Sequence, residues 1–178
     1  RAALRESLGE RSLDEVNVSE LCRIADVRRT TFYTHYESVA ELLTEMLTSD
    51  FDAALEIDAV EGKSVEVIAA DFHAAVIQAF EFVVRDRHLF RVGFASDASA
   101  PLRRALATMW AHRVEMALAL WKSLDVGART DDEAAVSFAA GGLATCVEAW
   151  ALSDRTDSVQ WADAVRDQMA PWWPRVAS

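Results

Sequence analysis

"VNVSELCRIADVRRTTFYTHYESVAELL", residues 16–43, stands apart from the rest of this 178-residue chain. Its middle, Asp26 to Ser38, packs two adjacent arginines, three threonines, two tyrosines, a phenylalanine and a histidine into a few turns. Apolar residues flank it at helical spacing: Leu21 and Cys22 before, then Leu42, Leu43, Met46 and Leu47 after. A helix over about Ser19 to Ala25, a tight connection at Asp26-Val27 and a short helix over about Arg28 to Thr34 have the length pattern of a helix-turn-helix. Leu21, Ala25, Val27 and Phe32 are the expected core of that unit. Ser38 is an N-cap type residue that opens the next helix.

The short helix carries an unusual face. Arg29, Thr30 and Tyr33 share it by i, i+3, i+4 spacing, away from Phe32. A guanidinium, a hydroxyl and a phenol are groups that contact phosphates and base edges in a major groove. Two arginines in a first turn also sit at the positive end of the helix dipole, which disfavours each by about 0.3–1 kcal/mol. Fold stability alone would prefer an acid there. The placement makes better sense if an anion arrives; the alternative is a solvated pair bridging to Glu20 or Glu37.

The composition pulls the other way. The net charge is −11, which argues against coating nucleic acid by bulk electrostatics. Residues 1–50 hold six Lys and Arg against ten Asp and Glu, so this half gives no relief. Any nucleic-acid contact must be local. Hydrophobic residues make up 52%, enough for a real core. Cys22 and Cys146 sit far apart among apolar helical neighbours and read as reduced core residues of a cytoplasmic protein. No apolar run is expected to reach the roughly 18 residues of a membrane span. Arg1 is not a start methionine, so further residues are expected upstream.

Only six glycines and three prolines punctuate the chain, between long stretches rich in Ala, Leu, Glu and Arg. The fold class is therefore all-α. A helix tail over 1–10 turns Ala3, Leu4 and Leu8 inward. After Gly62, Val65, Ile68, Phe72, Val76, Ala79, Phe80 and Val83 form one stripe. "HLFRVGFAS" is a short helix or turn. A long helix opened near Pro101 carries Leu106, Trp110, Val114, Ala117 and Trp121 on one side. The next helix is apolar on both sides: Val136, Ala139, Ala140, Leu143, Val147 and Trp150 on one, Phe138, Ala149 and Leu152 on the other, with Thr145 among the latter three. Such a helix needs two partners. A last helix offers Trp161, Val165, Met169 and Trp172. Two mid-helix glycines, Gly141 and Gly142, cost about 1 kcal/mol each relative to alanine, which suggests close packing there. These two helices form either an ordinary core or a subunit interface built as a four-helix bundle, through Val136, Ala140, Leu143, Val147, Trp161, Val165 and Trp172.

Residues 16–43 resemble the DNA-binding domain of the tetracycline-repressor (TetR) family of bacterial transcription regulators. That family shows a Thr-rich lead-in, an "IA..AGVS" helix and turn, a "TFY.HF" recognition helix, then "SK..L". Here Leu21-Cys22 fills the Ile-Ala position and "TFYTHY" nearly repeats the family string. Asp26 replaces the turn glycine, Arg28 the serine, Thr30 a small residue, and Val39 a lysine that touches a phosphate. The resemblance implies an N-terminal helix-turn-helix domain over 1–46, its first helix truncated, and a larger ligand-binding and dimerisation domain over 47–178. It implies that Arg29, Thr30, Thr31 and Tyr33 face the major groove, that Ser19 reaches base or backbone, and that Arg28 and His35 hold phosphates. It also implies a homodimer on a palindromic double-stranded DNA site, its recognition helices roughly 34–36 Å apart.

The larger domain is rich in aromatics. Each alone reads as core, but together they suggest a partly hollow apolar pocket for a small molecule. Its expected lining is Phe72, His73, Val76, Phe80, Phe94, Met109, Trp110, Arg113, Trp121 and Trp150. Arg113 lies mid-stripe and needs either a buried acid as partner or an anionic ligand. Catalysis finds little support: there is no nucleophile motif, Gly-rich phosphate loop, Cys-x-x-Cys or Glu-x-x-His pair, and no metal or cofactor is expected. The sequence reading is thus a DNA-binding repressor released by a small-molecule ligand. The acidic first 50 residues and Val39 favour its rival, a helical small-molecule-binding or interaction module with weak or lost DNA binding.

Overall fold

The structure, a computed structural model, describes residues 1–9, 11–57, 59–125, 131–169 and 173. Side-chain caps set five helix starts. Asn17, Ser38, Ser64, Asp131 and Asp157 accept from the backbone N–H three residues on, opening α2 (Val18–Ile24), α4 (Val39–Ala53), α5 (Val65–Arg85), α8 (Asp132–Leu152) and α9 (Ser158–Gln168). Each such cap is worth about 1 kcal/mol. The others are α1 (Ala2–Leu8), α3 (Arg29–His35), α6 (Arg87–Ala95) and α7 (Ser99–Ser123). Among the described residues there is no strand, so the protein is all-α.

The first three helices form a small unit seated on α4. Leu4, Leu8, Leu21, Cys22 and Phe32 are buried with Leu42, Leu43, Met46 and Leu47. Between α2 and α3 the chain reverses through a left-handed residue, Asp26, at φ 52°. The Val27 N–H returns to the Cys22 carbonyl at 2.9 Å and the Asp26 N–H to Arg23 at 3.4 Å, which closes the end of α2 as a Schellman motif. Glycine fits that position best and Asp tolerates it better than most residues. Asp26→Gly is therefore expected to raise stability by up to about 1 kcal/mol, measured by urea denaturation. The left-handed turn also swings Val27 outward: it is 44% exposed, and Ala25 is exposed too, so neither belongs to the expected core.

The larger part is a helical bundle. α7 lies along α8 and α4, α9 lies on α5, and α6 wedges between α4, α7 and α8. A Cβ added at Gly93 would stand 2.9 Å from Leu102 Cδ2 and 3.3 Å from Leu47 Cδ1, so α6 approaches both neighbours closely. Trp150 is fully buried, donates from Nε1 to the Phe80 carbonyl at 3.0 Å and stacks on Trp161 at 5.4 Å. α4 runs unbroken through residues 46 and 47, so one rigid helix belongs to both parts. Arg5 ties α1 to both, reaching Asp50 at 2.7 Å and Asp86 at 2.9 Å.

α5 and α8 differ from expectation in one respect. Each has 21 residues, with mean hydropathy 1.6 and 1.4, and would pass for a membrane span by length and composition. Each packs one side against neighbouring helices, and buried core helices meet the same criterion.

Candidate nucleic-acid interface and ligand cavity

α3 shows its polar face to solvent. Ser19, Arg28, Arg29, Thr30, Thr31, Tyr33 and His35 are all exposed, and Phe32 alone on α3 is buried. Phe32 packs on Tyr36, whose hydroxyl binds Glu45 and thereby ties the end of α3 to α4. That phenol and Arg1 hold the Glu45 carboxyl below the usual carboxylate range. Glu20 is engaged by Arg11 through two bonds, at 2.8 and 3.1 Å, and Glu41 turns back to the Glu37 backbone N–H at 2.6 Å. Among the described residues neither Arg28 nor Arg29 has an acid partner; Arg29 lies over the Tyr33 ring at 5.9 Å. Val39 is buried at the start of α4, so the position where the resemblance expects a lysine is spent on the core.

The larger part holds a cavity of about 70 Å³. It is lined by Leu55, Ala69, Phe72, His73, Ala75, Val76, Trp110, Arg113, Val114, Leu143, Ala162, Val165, Arg166, Met169 and Trp173. Of the expected lining, Phe72, His73, Val76, Trp110 and Arg113 come together here. Phe80, Phe94, Met109, Trp121 and Trp150 do not. Phe80 and Trp150 pack with each other, Phe94 stacks beside Phe90 on α6, Trp121 sits in a separate cluster with Ile68 and Ala117, and Met109 leans on the main core. Sequence reasoning missed Arg166, which stands next to Val165 on the inner side of α9.

The two arginines of the cavity differ. Arg113 donates from Nε to Asp52 Oδ1 at 2.6 Å, from Nη2 to the Asp52 carbonyl at 2.6 Å and from Nη1 to the Leu55 carbonyl at 2.8 Å. Arg113 has an acid partner, but Asp52 is half exposed rather than buried, and through it Arg113 clamps the C-terminal end of α4. Arg166 pairs with Asp163 at 2.9 Å, and His73 Nε2 meets the same carboxylate oxygen at 2.9 Å.

The expected dimer seam needs correction. Ala140, Leu143, Val147 and Val165 are buried inside the protomer, and Leu143 and Val165 line the cavity. Val136 and Trp161 are partly buried against the same core, and Trp172 lies outside the described residues. The stripe that sequence periodicity offered for a partner is the one α8 needs for its own bundle. The opposite stripe is bare: Phe138 is 72% exposed and Leu152 52%, with Gly141, Gly142, Thr145 and Ala149 exposed between them.

No protein-family model matches the sequence, and no curated protein matches it significantly. Solved structures do match. The dihydroxyacetone kinase operon activator DhaS superposes with a TM-score of 0.66 at 12% identity, over 94% of this chain and 92% of that one. The TetR family repressor AlkX from Dietzia sp. strain DQ12-45-1b gives 0.56 at 16%, over 97% and 94%. RolR gives 0.54 at 19%, over 99% and 100%. The chain has the TetR-family fold. At these identities the likeness concerns the fold, and within it this chain's departures have physical substitutes. Asp26 adopts the backbone that glycine would, Arg28 places a cation at the start of α3, and Val39 puts an apolar side chain into the core at the start of α4.

Proposed function

We propose that this chain is a homodimeric, cytoplasmic DNA-binding transcription regulator of the TetR type, a repressor that leaves a palindromic operator when a small molecule enters the cavity. The observation that carries the reading is the pair Arg28 and Arg29, exposed at the start of α3 with no acid partner among the described residues. Helix stability disfavours them there, and a DNA phosphate or guanine edge would repay the placement. The neighbouring acids are already engaged, Glu20 by Arg11 and Glu45 by Tyr36 and Arg1, which lowers the local repulsion that the net charge suggests.

In this reading α1–α4 form the DNA-reading part, and the partner copy docks on the bare stripe of α8. Gly141 and Gly142 support that choice. A Cβ added at either meets nothing within 4 Å in the protomer, so the protomer itself gives no reason for two helix-weakening glycines. A second copy approaching closely does. A ligand lowers operator affinity only by as much as it prefers a dimer geometry that does not fit DNA. Arg113 joins the cavity to α4, so Arg113→Gln is expected to change the ligand-free affinity for the operator at least about fivefold without touching DNA, by fluorescence anisotropy.

The test of the reading is selection of bound DNA from a random pool with the full chain. The expected product is a palindrome with half-sites about 10–10.5 base pairs apart or a multiple, bound at least about 10³-fold above random DNA. Failure to enrich any sequence would leave the fold without this function.

A further inference from the structure

The chemistry of the cavity wall narrows what can enter it. Its apolar side includes Phe72, Val76, Val114 and Leu143. Its polar side chains among the described residues are the cations Arg113 and Arg166 and the imidazole of His73, and none of the described lining residues is Asp or Glu. Trp110, also in the wall and 5% exposed, has an indole Nε1 with no hydrogen-bond partner among the described residues. Arg113 is committed to Asp52 and the Leu55 carbonyl. Arg166 and His73 are engaged as well, but by a half-exposed carboxylate at the rim that an entering carboxylate would displace; Arg166 also reaches Asp167 at 3.5 Å. Both converge on one oxygen of Asp163, each at 2.9 Å, while 43% of the Asp163 side chain faces solvent. This donor pair therefore already holds a carboxylate at the edge of the cavity. A ligand cation would find no acid among the described lining residues, and a pure hydrocarbon would gain nothing from the Arg166–His73 pair.

We propose that the cavity takes a small apolar carboxylate, with Arg166 and His73 holding its head group and the apolar wall its body. The proposal rests on the cavity being the ligand site. The head lies outward, because His73 and Arg166 keep 17% and 29% of their side-chain surface while Val114 and Leu143 are buried within. At about 70 Å³ the cavity takes one ring or a short chain, since one water needs about 10–15 Å³.

Calorimetry on the full chain, without DNA, tests this with benzoate and hexanoate against benzamide and benzylamine. Benzoate or hexanoate is expected to bind at least tenfold more tightly than the amide, and the amine not at all. Arg166→Gln is expected to weaken the carboxylate about 10- to 100-fold, with Arg166→Lys recovering part of the loss. Equal binding of benzamide, binding of benzylamine, an unchanged Arg166→Gln, or no binding by either carboxylate would each overturn the assignment. The DNA selection is scored separately. Carboxylate binding with no selected operator removes the regulator and keeps the ligand class; an operator without carboxylate binding does the reverse.

Discussion

Arg29→Ala is expected to abolish the specific gel shift of the full-length protein on its selected operator while the dimer stays folded. The side chain is exposed, pairs with no acid among the described residues and touches only the Tyr33 ring, so its loss costs the fold nothing large. A guanidinium reading a guanine edge is worth about 1–3 kcal/mol, and a symmetric dimer loses it twice. The combined 2–6 kcal/mol amounts to a loss between about 30-fold and 10⁴-fold. Tyr33→Ala removes the ring that supports the guanidinium and follows in the same direction. Arg28→Ala is the informative contrast. As a phosphate contact it weakens all sequences about equally and reduces the salt slope by about 1 per contact. Unchanged binding in Arg29→Ala would remove the assignment of α3 as the reading helix.

The second large effect is at the bare stripe of α8. Gly142→Leu meets open space in the protomer and improves helix propensity by about 1 kcal/mol, so thermal unfolding of the separated protomer should not suffer. In a dimer packed on that stripe the added side chain holds the two helices apart. Sedimentation is expected to show a monomer, and operator binding is lost with the second half-site. Phe138→Glu, at a side chain 72% exposed in the protomer, gives the same outcome by placing charge in an apolar seam. Two stable dimers would show that the partner docks elsewhere.

These two predictions differ in how much of their basis the sequence carried. The α2–turn–α3 unit was legible because its signals are local: short helical spacing on either side of a turn residue tolerant of a left-handed backbone, a short string of side chains on one face, and the Ser38 cap that opens the next helix. Val27 was misread because a left-handed residue redirects the chain by an angle that periodicity does not contain. α8 posed a different problem. A helix apolar on both sides states that two partners exist but not which one is the chain itself, and the choice of Val147 and Leu143 for the seam fell on the wrong side. The cavity was half legible for a related reason. Periodicity identifies inward residues, but a cavity forms where packing is incomplete. Phe80 and Trp150 fill their space, whereas Phe72 and Trp110 border a gap. Arg166 left a faint signal, a charge beside the inner stripe of α9, whose meaning came only with His73 and Asp163 beside it.

α4 has one mechanical consequence. Its 15 residues make a rod of about 22 Å, fixed at one end by Arg113, held to the base of α3 near its middle through Tyr36 and Glu45, and joined to α3 by the chain at its other end. A tilt of about 5° at the clamped end carries the far end through about 2 Å along such a rod. In the proposed symmetric pair the two displacements would add or cancel, changing the span between the two α3 helices by up to about 4 Å, a tenth of a helical turn of DNA. Swapping one hydrogen-bond partner of a single guanidinium is a movement of that order at its source; in the proposed dimer this would make the protein a length gauge whose error is set by how firmly one arginine grips one carboxylate.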